Sequence, residues 1–425
     1  MAGEHGRIKP ELLAPAGSLE KCRLAFLYGA DAVYAGGKEY SLRSYARNLH
    51  SEELAAACHL AHCLGKRLYV TVNAFARESD LALLPPFLQY LQDLSVDGLI
   101  ASDPAVLVLA RRWAPQVPLH LSTQANTTNA LSVAFWQTQG IRRVNLAREL
   151  TFDDLRKIRK ATAMELEVFV HGAMCLSYSG RCLLSAFLTG RSANRGLCTQ
   201  PCRWSYSLVE AKRPGQYLPL EEDGRGSYLL NPKDLCLLQH LGRLLALGIN
   251  AFKVEGRMKG ALYLASVIRT YRQAIDRYWQ APAAYAVDPR WREDLEAVSH
   301  RPYTTGMLFD DTAGPEAGID ASGRLLQTHT LAGIVRPPPE SRWHDSSRAP
   351  HFALGQETCI EVRSRLRSGM ELEFLEVDGT TTSHVLGTFA DLRGNPLDVA
   401  HPNSWVRVPL SFATFPQQVI RTVRS

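Results

Sequence analysis

The feature that most constrains the fold is a repeated alternation of short apolar runs and helix-like stretches through the first 260 residues. Eight runs read as strands, because each is rich in apolar residues and ends in small or polar ones. They begin near Glu11, Ala32, Arg67, Gly98, Leu119, Arg143, Glu165 and Ala251. Strands that alternate with helices pair in parallel, and eight such units predict a closed (β/α)8 barrel of the TIM type.

The stretches between the runs carry helix signals. Residues 19–28 and 52–64 have helical patterns, and the segment after Thr151 opens with Thr-x-Asp-Asp. A threonine followed three residues later by an acidic residue is typical of a helix start, because each side chain can bond an amide of the other. We therefore expect helices between the strands.

The seventh unit departs from this pattern. The strand ending at His171 is separated from the strand starting at Ala251 by a long segment that carries five of the nine cysteines. We predict an insertion at residues 175–240 after strand 7. The longest interruption of the barrel thus coincides with the densest concentration of unusual chemistry.

The chain is too long for one hydrophobic core, so we expect more than one domain. We assign residues 1–280 to the barrel and residues 281–330, rich in proline, glycine and aspartate, to a linker. Residues 331–425 contain short alternating runs such as MELEFLEV and SWVRVPL, separated by turn signals. This pattern predicts a small C-terminal antiparallel β-barrel domain.

Composition narrows the class of protein. The chain is 46% hydrophobic and 21% charged, as in ordinary globular proteins. No apolar run has membrane-helix length, and Met1 to Pro10 lack the apolar core of a secretory signal, so we expect a cytoplasmic protein that does not bind membranes. The net charge of +6 permits binding to nucleic acid without requiring it.

The cysteines in the insertion are the strongest chemical signal. Their spacing is C-x6-C-x15-C-x3-C-x33-C, and the residues are Cys175, Cys182, Cys198, Cys202 and Cys236. Structural zinc usually takes two tight pairs of ligands, and only Cys198 and Cys202 have that spacing. Four thiolates complete the coordination of a 4Fe-4S cluster, so we favour a cluster over zinc, with five candidates for four places.

The other four cysteines lie within apolar helix or strand patterns. We expect Cys22, Cys58, Cys63 and Cys359 to be buried, because free cysteine packs as a small hydrophobic residue.

Active sites of such barrels lie at the C-terminal ends of the strands. This rule selects polar residues that follow the apolar runs, although each of them could instead close a turn or cap a helix. We assign catalytic roles to His171, Glu255 and Arg257. We assign substrate binding to Asn73, Gln124, Asn126 and Arg148.

Several motifs resemble the collagenase-like peptidase family. The segment from His171 to Cys182, HGAMCLSYSGRC, resembles the signature of that family, and the resemblance covers most of the chain. Family-like motifs include ELLAPAGSLE, RSYARN, STQANTTN, NPKDLC and KVEGRMK. The length and the single C-terminal β domain resemble the branch whose members hydroxylate tRNA.

This resemblance implies a function and a cofactor. It implies oxygen-independent, prephenate-dependent conversion of a wobble uridine in the tRNA anticodon loop to 5-hydroxyuridine, in a protein that holds a 4Fe-4S cluster. We name an electron donor as a further candidate partner. It implies the ligands Cys175, Cys182, Cys198 and Cys236, with Cys202 as the alternate. Because prephenate is a dicarboxylate, Arg43, Arg148 and Arg257 are chemically sensible clamps for it.

Two other functions stay open. A thiol peptidase would need Cys175 activated by His171, and a partner-dependent factor would hydroxylate rRNA or a quinone precursor only with another subunit. Arg363, Arg365 and Arg367 of the C-terminal domain could contact tRNA phosphates, or could simply form a solvated strand face.

Overall fold

The computed structural model describes residues 9–37, 49–175, 177–204, 208–209, 217–218, 232–309, 325–337 and 357–424. The strands of its first part are β1 Glu11–Pro15, β2 Ala32–Gly36, β3 Arg67–Thr71, β4 Gly98–Ala101, β5 Leu119–Leu121, β6 Arg143–Asn145, β7 Glu165–Ala173, β8 Leu208–Val209, β9 Tyr217–Leu218, β10 Asp234–Cys236, β11 Ala251–Val254 and β12 Tyr303–Thr304. The helices are α1 Leu19–Leu27, α2 Ser51–Cys63, α3 Glu78–Leu81, α4 Leu84–Asp93, α5 Pro104–Trp113, α6 Ala130–Thr138, α7 Phe152–Ala161, α8 Leu184–Thr189, α9 Leu241–Ala246, α10 Ala261–Gln280 and α11 Pro289–Glu296.

Eight parallel strands close into a barrel. Strands β1 to β7 pair in sequence order, and β11 closes the ring by pairing with both β7 and β1. The closing register places Glu11 opposite Ala251 and Val168 opposite Phe252. The predicted TIM-like barrel is confirmed, and each of the eight predicted strand starts is the first residue of a barrel strand.

Most strand residues are buried, as expected where helices cover the outside of a parallel sheet. The helix starts follow local chemistry. Thr151 accepts the amide hydrogen of Asp154 at 3.2 Å, while the Asp154 carboxylate accepts the Thr151 amide at 3.1 Å. This reciprocal cap begins α7 at the predicted place.

The insertion returns to the barrel through β10. This short strand runs antiparallel to β7, with Cys236 opposite His171, and it also pairs with β12. In the segment predicted as a linker, α11 and β12 are regular structure, and Trp291 and Leu295 are buried in the barrel's hydrophobic core. The linker prediction is therefore wrong for these residues, because two apolar side chains anchor a helix that the surrounding polar composition conceals.

The C-terminal domain is an antiparallel sheet that forms a half-barrel, in the strand order β17-β16-β22-β13-β14-β21-β18-β19. Its strands are β13 His329–Arg336, β14 Glu357–Val362, β15 Leu366–Arg367, β16 Glu371–Leu375, β17 Thr381–Val385, β18 Phe389–Asp391, β19 Pro396–Leu397, β20 Val399–Ala400, β21 Trp405–Pro409 and β22 Val419–Val423. Alternate residues face a separate core that includes Phe374, Val406 and Ile420. The predicted C-terminal antiparallel β domain is confirmed.

Two buried polar contacts join the domains. The hydroxyl of Tyr28 donates to the Leu375 carbonyl at 3.1 Å and accepts the Val419 amide hydrogen at 2.9 Å. Asp294 accepts hydrogen bonds from Arg269 at 2.7 Å and from Arg421 at 2.8 Å. Arg421 also pairs with Glu373 at 2.5 Å, so the two arginines face two carboxylates. These paired charges and the Tyr28 hydroxyl hold the C-terminal sheet against α1 and α10.

The burial of the remaining cysteines follows the prediction except at one position. Cys22, Cys58 and Cys359 are buried, whereas Cys63 is exposed. Cys63 follows Cys58 by five residues, which is about 140° around a helix, so it lies away from the buried face of α2. In the part of the chain that is described, no helix combines the length and apolarity needed to cross a membrane.

Candidate active site at the mouth of the barrel

A cavity of about 360 Å³ opens at the C-terminal ends of the barrel strands. The insertion contributes one part of its lining, and strands or strand ends contribute the rest. Five of the eight residues predicted for catalysis or substrate binding line this cavity: Asn73, Gln124, Arg148, Glu255 and Arg257. The rule that barrel active sites lie at this end thus places these five side chains in one cavity.

One wall of the cavity is a hydrogen-bonded polar group. Gln124 donates from Nε2 to the Asn73 carbonyl at 2.8 Å and accepts at Oε1 from the Ser122 hydroxyl at 3.0 Å. Ser122 and Gln124 are almost fully buried. Because these side chains fix one another, their remaining donor and acceptor atoms have defined directions for a ligand.

Two arginines line the same cavity in different surroundings. Arg148 donates to the Ala173 carbonyl at 3.0 Å and to the Ser179 hydroxyl at 2.9 Å, so it links the barrel to the insertion. Arg257 is 4% exposed and donates to the Thr71 hydroxyl at 3.2 Å. Among the described residues, Arg148 forms no ion pair with a carboxylate, which leaves its charge available to an anionic ligand.

Two glycines permit close contacts around the site. Gly172 has φ +108°, and a Cβ there would lie 2.3 Å from the Glu255 carbonyl oxygen. Gly180 has φ +76°, and a Cβ there would lie 3.2 Å from the Gln124 Cβ. Only glycine allows these approaches, which hold Glu255 against β7 and the insertion against the polar wall.

Four cysteines line the cavity: Cys175, Cys182, Cys198 and Cys202. Burial raises the pKa of the Cys202 thiol; Arg203 opposes this effect, and negative charge on the other three cysteines adds to it. The four sulfurs therefore interact electrostatically. Four thiolates are the donor set that a 4Fe-4S cluster takes, so these residues fit that cofactor. Within the described ranges, no three potential ligands converge on a single metal ion. A 4Fe-4S cluster does not require such convergence, because each thiolate binds a different iron atom.

Cys236 lies outside this cavity. It is partly buried on β10, packed against the barrel core, and burial raises the pKa of its thiol. The sequence resemblance implied Cys236 as a ligand and Cys202 as the alternate. The structure instead brings Cys202 together with the other three, because the close spacing of Cys198 and Cys202 places both on the same loop.

Two other predicted residues do not line the cavity, and one cannot be placed. His171 is 1% exposed, packs among Tyr263, Tyr271 and Tyr303, and has a pKa lowered to about 3 by burial. Asn126 adopts a left-handed conformation and donates to the Gln124 carbonyl at 2.9 Å, so it closes a turn. The structure therefore places neither His171 nor Asn126 among the described residues that line the cavity, in contrast to the prediction from the strand-end rule. Arg43 lies outside the described residues.

Lys253 also lines the cavity, and sequence reasoning missed it. It lies within the apolar run of β11, is 4% exposed, and donates to Glu167 at 2.8 Å. A lysine inside an otherwise apolar parallel strand was the available signal, because a buried charge requires a partner.

Family models match both parts of the chain. Residues 17–317 match the model of peptidase family U32, and residues 353–421 match that of the U32 C-terminal domain. This chain belongs to the U32 peptidase family. The two matched ranges correspond to the barrel and to the C-terminal β domain of this U32 protein.

Several U32 relatives have assigned names. The chain is 38% identical to tRNA hydroxylation protein P1 of Bacillus subtilis, with 97% of this chain and 94% of the relative covered. It is 39% identical to tRNA hydroxylation protein P of Escherichia coli, with 94% of each covered. It is 37% identical to the Escherichia coli 23S rRNA 5-hydroxycytidine C2501 synthase, over 63% of this chain and 39% of that protein.

Proposed function

We propose that this U32 protein is an iron–sulfur enzyme that hydroxylates RNA, and that its substrate is tRNA. The reaction proposed is oxygen-independent, prephenate-dependent conversion of the wobble uridine to 5-hydroxyuridine. In it the C5–H bond of the base becomes C5–OH, and prephenate supplies the oxygen atom and takes up the two electrons that the base loses. The observation that carries this proposal is the convergence of four cysteines with the barrel's polar strand ends in a single cavity. Full-length similarity to two tRNA hydroxylation proteins supports the substrate class.

The residues that would hold the cluster are Cys175, Cys182, Cys198 and Cys202. A bound iron–sulfur cluster supplies electron transfer or an open iron site, depending on how many thiolates it keeps. Cys198 is exposed and Cys202 is partly buried, so the cluster would lie between solvent and the cavity interior. An external electron donor could approach from the exposed side.

The protein's own residues would orient the two substrates. The guanidinium of Arg148 can pair with a carboxylate of prephenate, and buried Arg257 can hold a second one. The polar wall formed by Asn73, Ser122 and Gln124 offers donors and acceptors to the edge of a base. Holding both substrates in one cavity lowers the entropic cost of their reaction.

An anticodon-loop uridine is already single-stranded and enters a pocket at low cost. Tyr178 lines the cavity and is 49% exposed, so its ring is available for stacking on a base. In the C-terminal domain, Arg365 and Arg367 are exposed, whereas Arg363 pairs with Glu361 at 3.1 Å. Phosphate contacts are therefore proposed for Arg365 and Arg367 rather than for Arg363.

The peptidase function has less support in this cavity. A cysteine nucleophile needs a histidine within hydrogen-bond reach, but among the residues that the structure describes none of those lining the cavity is a histidine. His171 is buried elsewhere and neutral at physiological pH. In the described part of the chain, Cys175 therefore has no histidine in the cavity lining that could activate it as in a thiol peptidase.

Nucleoside mass spectrometry of tRNA from a strain without this gene tests the proposal. The 5-hydroxyuridine and its derivatives should disappear, and should return with the wild-type gene or with Cys359→Ser, but not with Cys182→Ser. Cys359 lies in the C-terminal sheet and serves as a matched control. An unchanged tRNA profile would refute the tRNA assignment and redirect the search to rRNA or a small molecule.

A partner-dependent factor is distinguished by reconstitution. Purified protein that modifies tRNA with prephenate and a chemical reductant acts without another subunit. Modification that begins only after addition of lysate from the deletion strain would show that a second protein is required.

A further inference from the structure

Lys253 places a buried ammonium group in the lining of the active-site cavity, in a strand position that precedes Glu255 and Arg257. Its side chain is 5% exposed, and its Nζ donates to Glu167 Oε1 at 2.8 Å. Glu167 is 2% exposed in its side chain. A buried lysine costs stability unless it is paired, so a lysine kept at a cavity wall requires an explanation beyond packing.

A network of buried charges holds the ammonium group of Lys253 in place. Glu167 lies 3.6 Å from Nη1 of Arg143, which in turn lies 2.6 Å from Glu11. These charges come from β1, β6, β7 and β11, so four strands of the barrel hold the position of Lys253. A donor that is fixed in this way loses little entropy when it bonds a ligand.

Aromatic rings surround the same group. Nζ of Lys253 lies 4.6 Å from the centre of the Tyr34 ring and 5.5 Å from that of Phe169. Both rings line the cavity. Aromatic walls beside a single fixed donor are suited to a flat heterocycle, which stacks on a ring and is oriented by its edge.

Lys253 and Arg148 differ in the net charge that they offer to a ligand. With Glu167 in contact, the lysine pair has no net charge, so it suits a neutral oxygen better than a carboxylate. Arg148, which forms no ion pair among the described residues, suits the anionic substrate. An ammonium group has three donors, of which Glu167 takes one.

We propose that Lys253, held by Glu167, donates a hydrogen bond to a carbonyl oxygen of the pyrimidine base that enters the cavity. The inference deepens the proposed function and rests on it. It assigns the base to the part of the cavity beside Tyr34, and the carboxylates to Arg148, whose guanidinium lies 5.3 Å from the centre of the Phe169 ring. Lys253 is then a substrate-binding residue that selects for a carbonyl at one edge of the ring.

Binding of chemically altered RNA hairpins tests this assignment. The hairpins carry an anticodon loop with uridine, 2-thiouridine or 4-thiouridine at the target position, since sulfur is a poor hydrogen-bond acceptor. Wild-type protein should bind one thio-substituted hairpin about tenfold more weakly than the uridine hairpin, the loss expected for a hydrogen bond to a charged donor. Lys253→Met should bind all three hairpins with equal affinity.

A double variant controls for misfolding of the Lys253→Met protein. Lys253→Met leaves the Glu167 carboxylate without its main partner, so the double variant Lys253→Met with Glu167→Gln removes both charges together. It should also bind the three hairpins equally while keeping the wild-type circular dichroism spectrum. Discrimination that persists in either folded variant, or wild-type protein that binds all three hairpins equally, would overturn the inference alone. Wild-type protein that binds no hairpin, together with unchanged tRNA in the deletion strain, would overturn the proposed function as well.

Discussion

The Sγ atom of Cys236 lies 3.9 Å from the hydroxyl oxygen of Tyr271, outside the cavity that the other four cysteines of the insertion line. Tyr271 in turn donates to the Val170 carbonyl at 2.8 Å. Cys236 is thus packed against the wall of the barrel, whereas Cys202 lies in the cavity. Under the proposed function, the two cysteines would exchange the roles that the sequence resemblance implied for them.

This exchange predicts different iron contents for two serine variants. Cys202→Ser should lower the bound iron and acid-labile sulfide of anaerobically prepared protein by more than half, because one of four thiolates is lost. Cys236→Ser should retain the wild-type content, because its thiol is outside the proposed site. Iron and sulfide assays, with the visible absorption spectrum, measure both. The reverse pattern would restore Cys236 as the ligand.

Because the Tyr28 hydroxyl is buried between the domains, we expect Tyr28→Phe to destabilise the protein more than an exposed tyrosine-to-phenylalanine change does. Tyr28→Phe removes the hydroxyl that bonds Leu375 and Val419, and leaves a buried amide without an acceptor. The expected loss is about 1–3 kcal/mol in the free energy of unfolding. Tyr90→Phe is the matched control, because the Tyr90 hydroxyl bonds the Ser51 carbonyl at an exposed site. Denaturant unfolding compares them, and equal losses would contradict the role of Tyr28 in joining the domains.

Arg148 predicts a selective effect on the anionic substrate. Arg148→Lys keeps the charge but loses the guanidinium fork, so under the proposed function the KM for prephenate should rise about tenfold or more. The KM for tRNA should change much less. Arg156→Lys, at an exposed arginine on α7, is the control. Steady-state assays with each substrate varied separately measure this, and equal changes in both KM values would argue against carboxylate binding by Arg148.

The sequence predicted the barrel well because its signals are local. Each strand is an apolar run followed by polar residues, and the strand-end rule then located Asn73, Gln124 and Glu255. The helix around Trp291 was missed, because only Trp291, Asp294 and Leu295 of it are buried and its surroundings have a polar, linker-like composition. Lys253 and Cys202 were undervalued, because their importance depends on which strands and loops meet in space, and spacing along the chain does not report that.

Because His171 is buried, we expect the stability of the protein to depend on pH, and this dependence tests the burial. Burial lowers the pKa of this imidazole to about 3, whereas an unfolded histidine titrates near 6.5. The unfolded chain therefore takes up a proton below about pH 6.5 that the folded protein cannot accept, so stability falls as the pH decreases from that value towards 3. Between pH 6 and 5, the low pKa of His171 alone should lower the free energy of unfolding by about 1 kcal/mol.

Replacing the histidine should remove that part of the acid sensitivity. Between pH 6 and 5, the free energy of unfolding of His171→Asn should fall by about 1 kcal/mol less than that of the wild-type protein, even if the variant is less stable overall. His401→Gln, at an exposed position, should keep the wild-type slope. Denaturant unfolding at pH 5, 6 and 7 measures the three proteins. An identical slope for His171→Asn and wild type would mean that the imidazole is protonated in the folded protein, and would reopen its assignment as an acid or base at the active site.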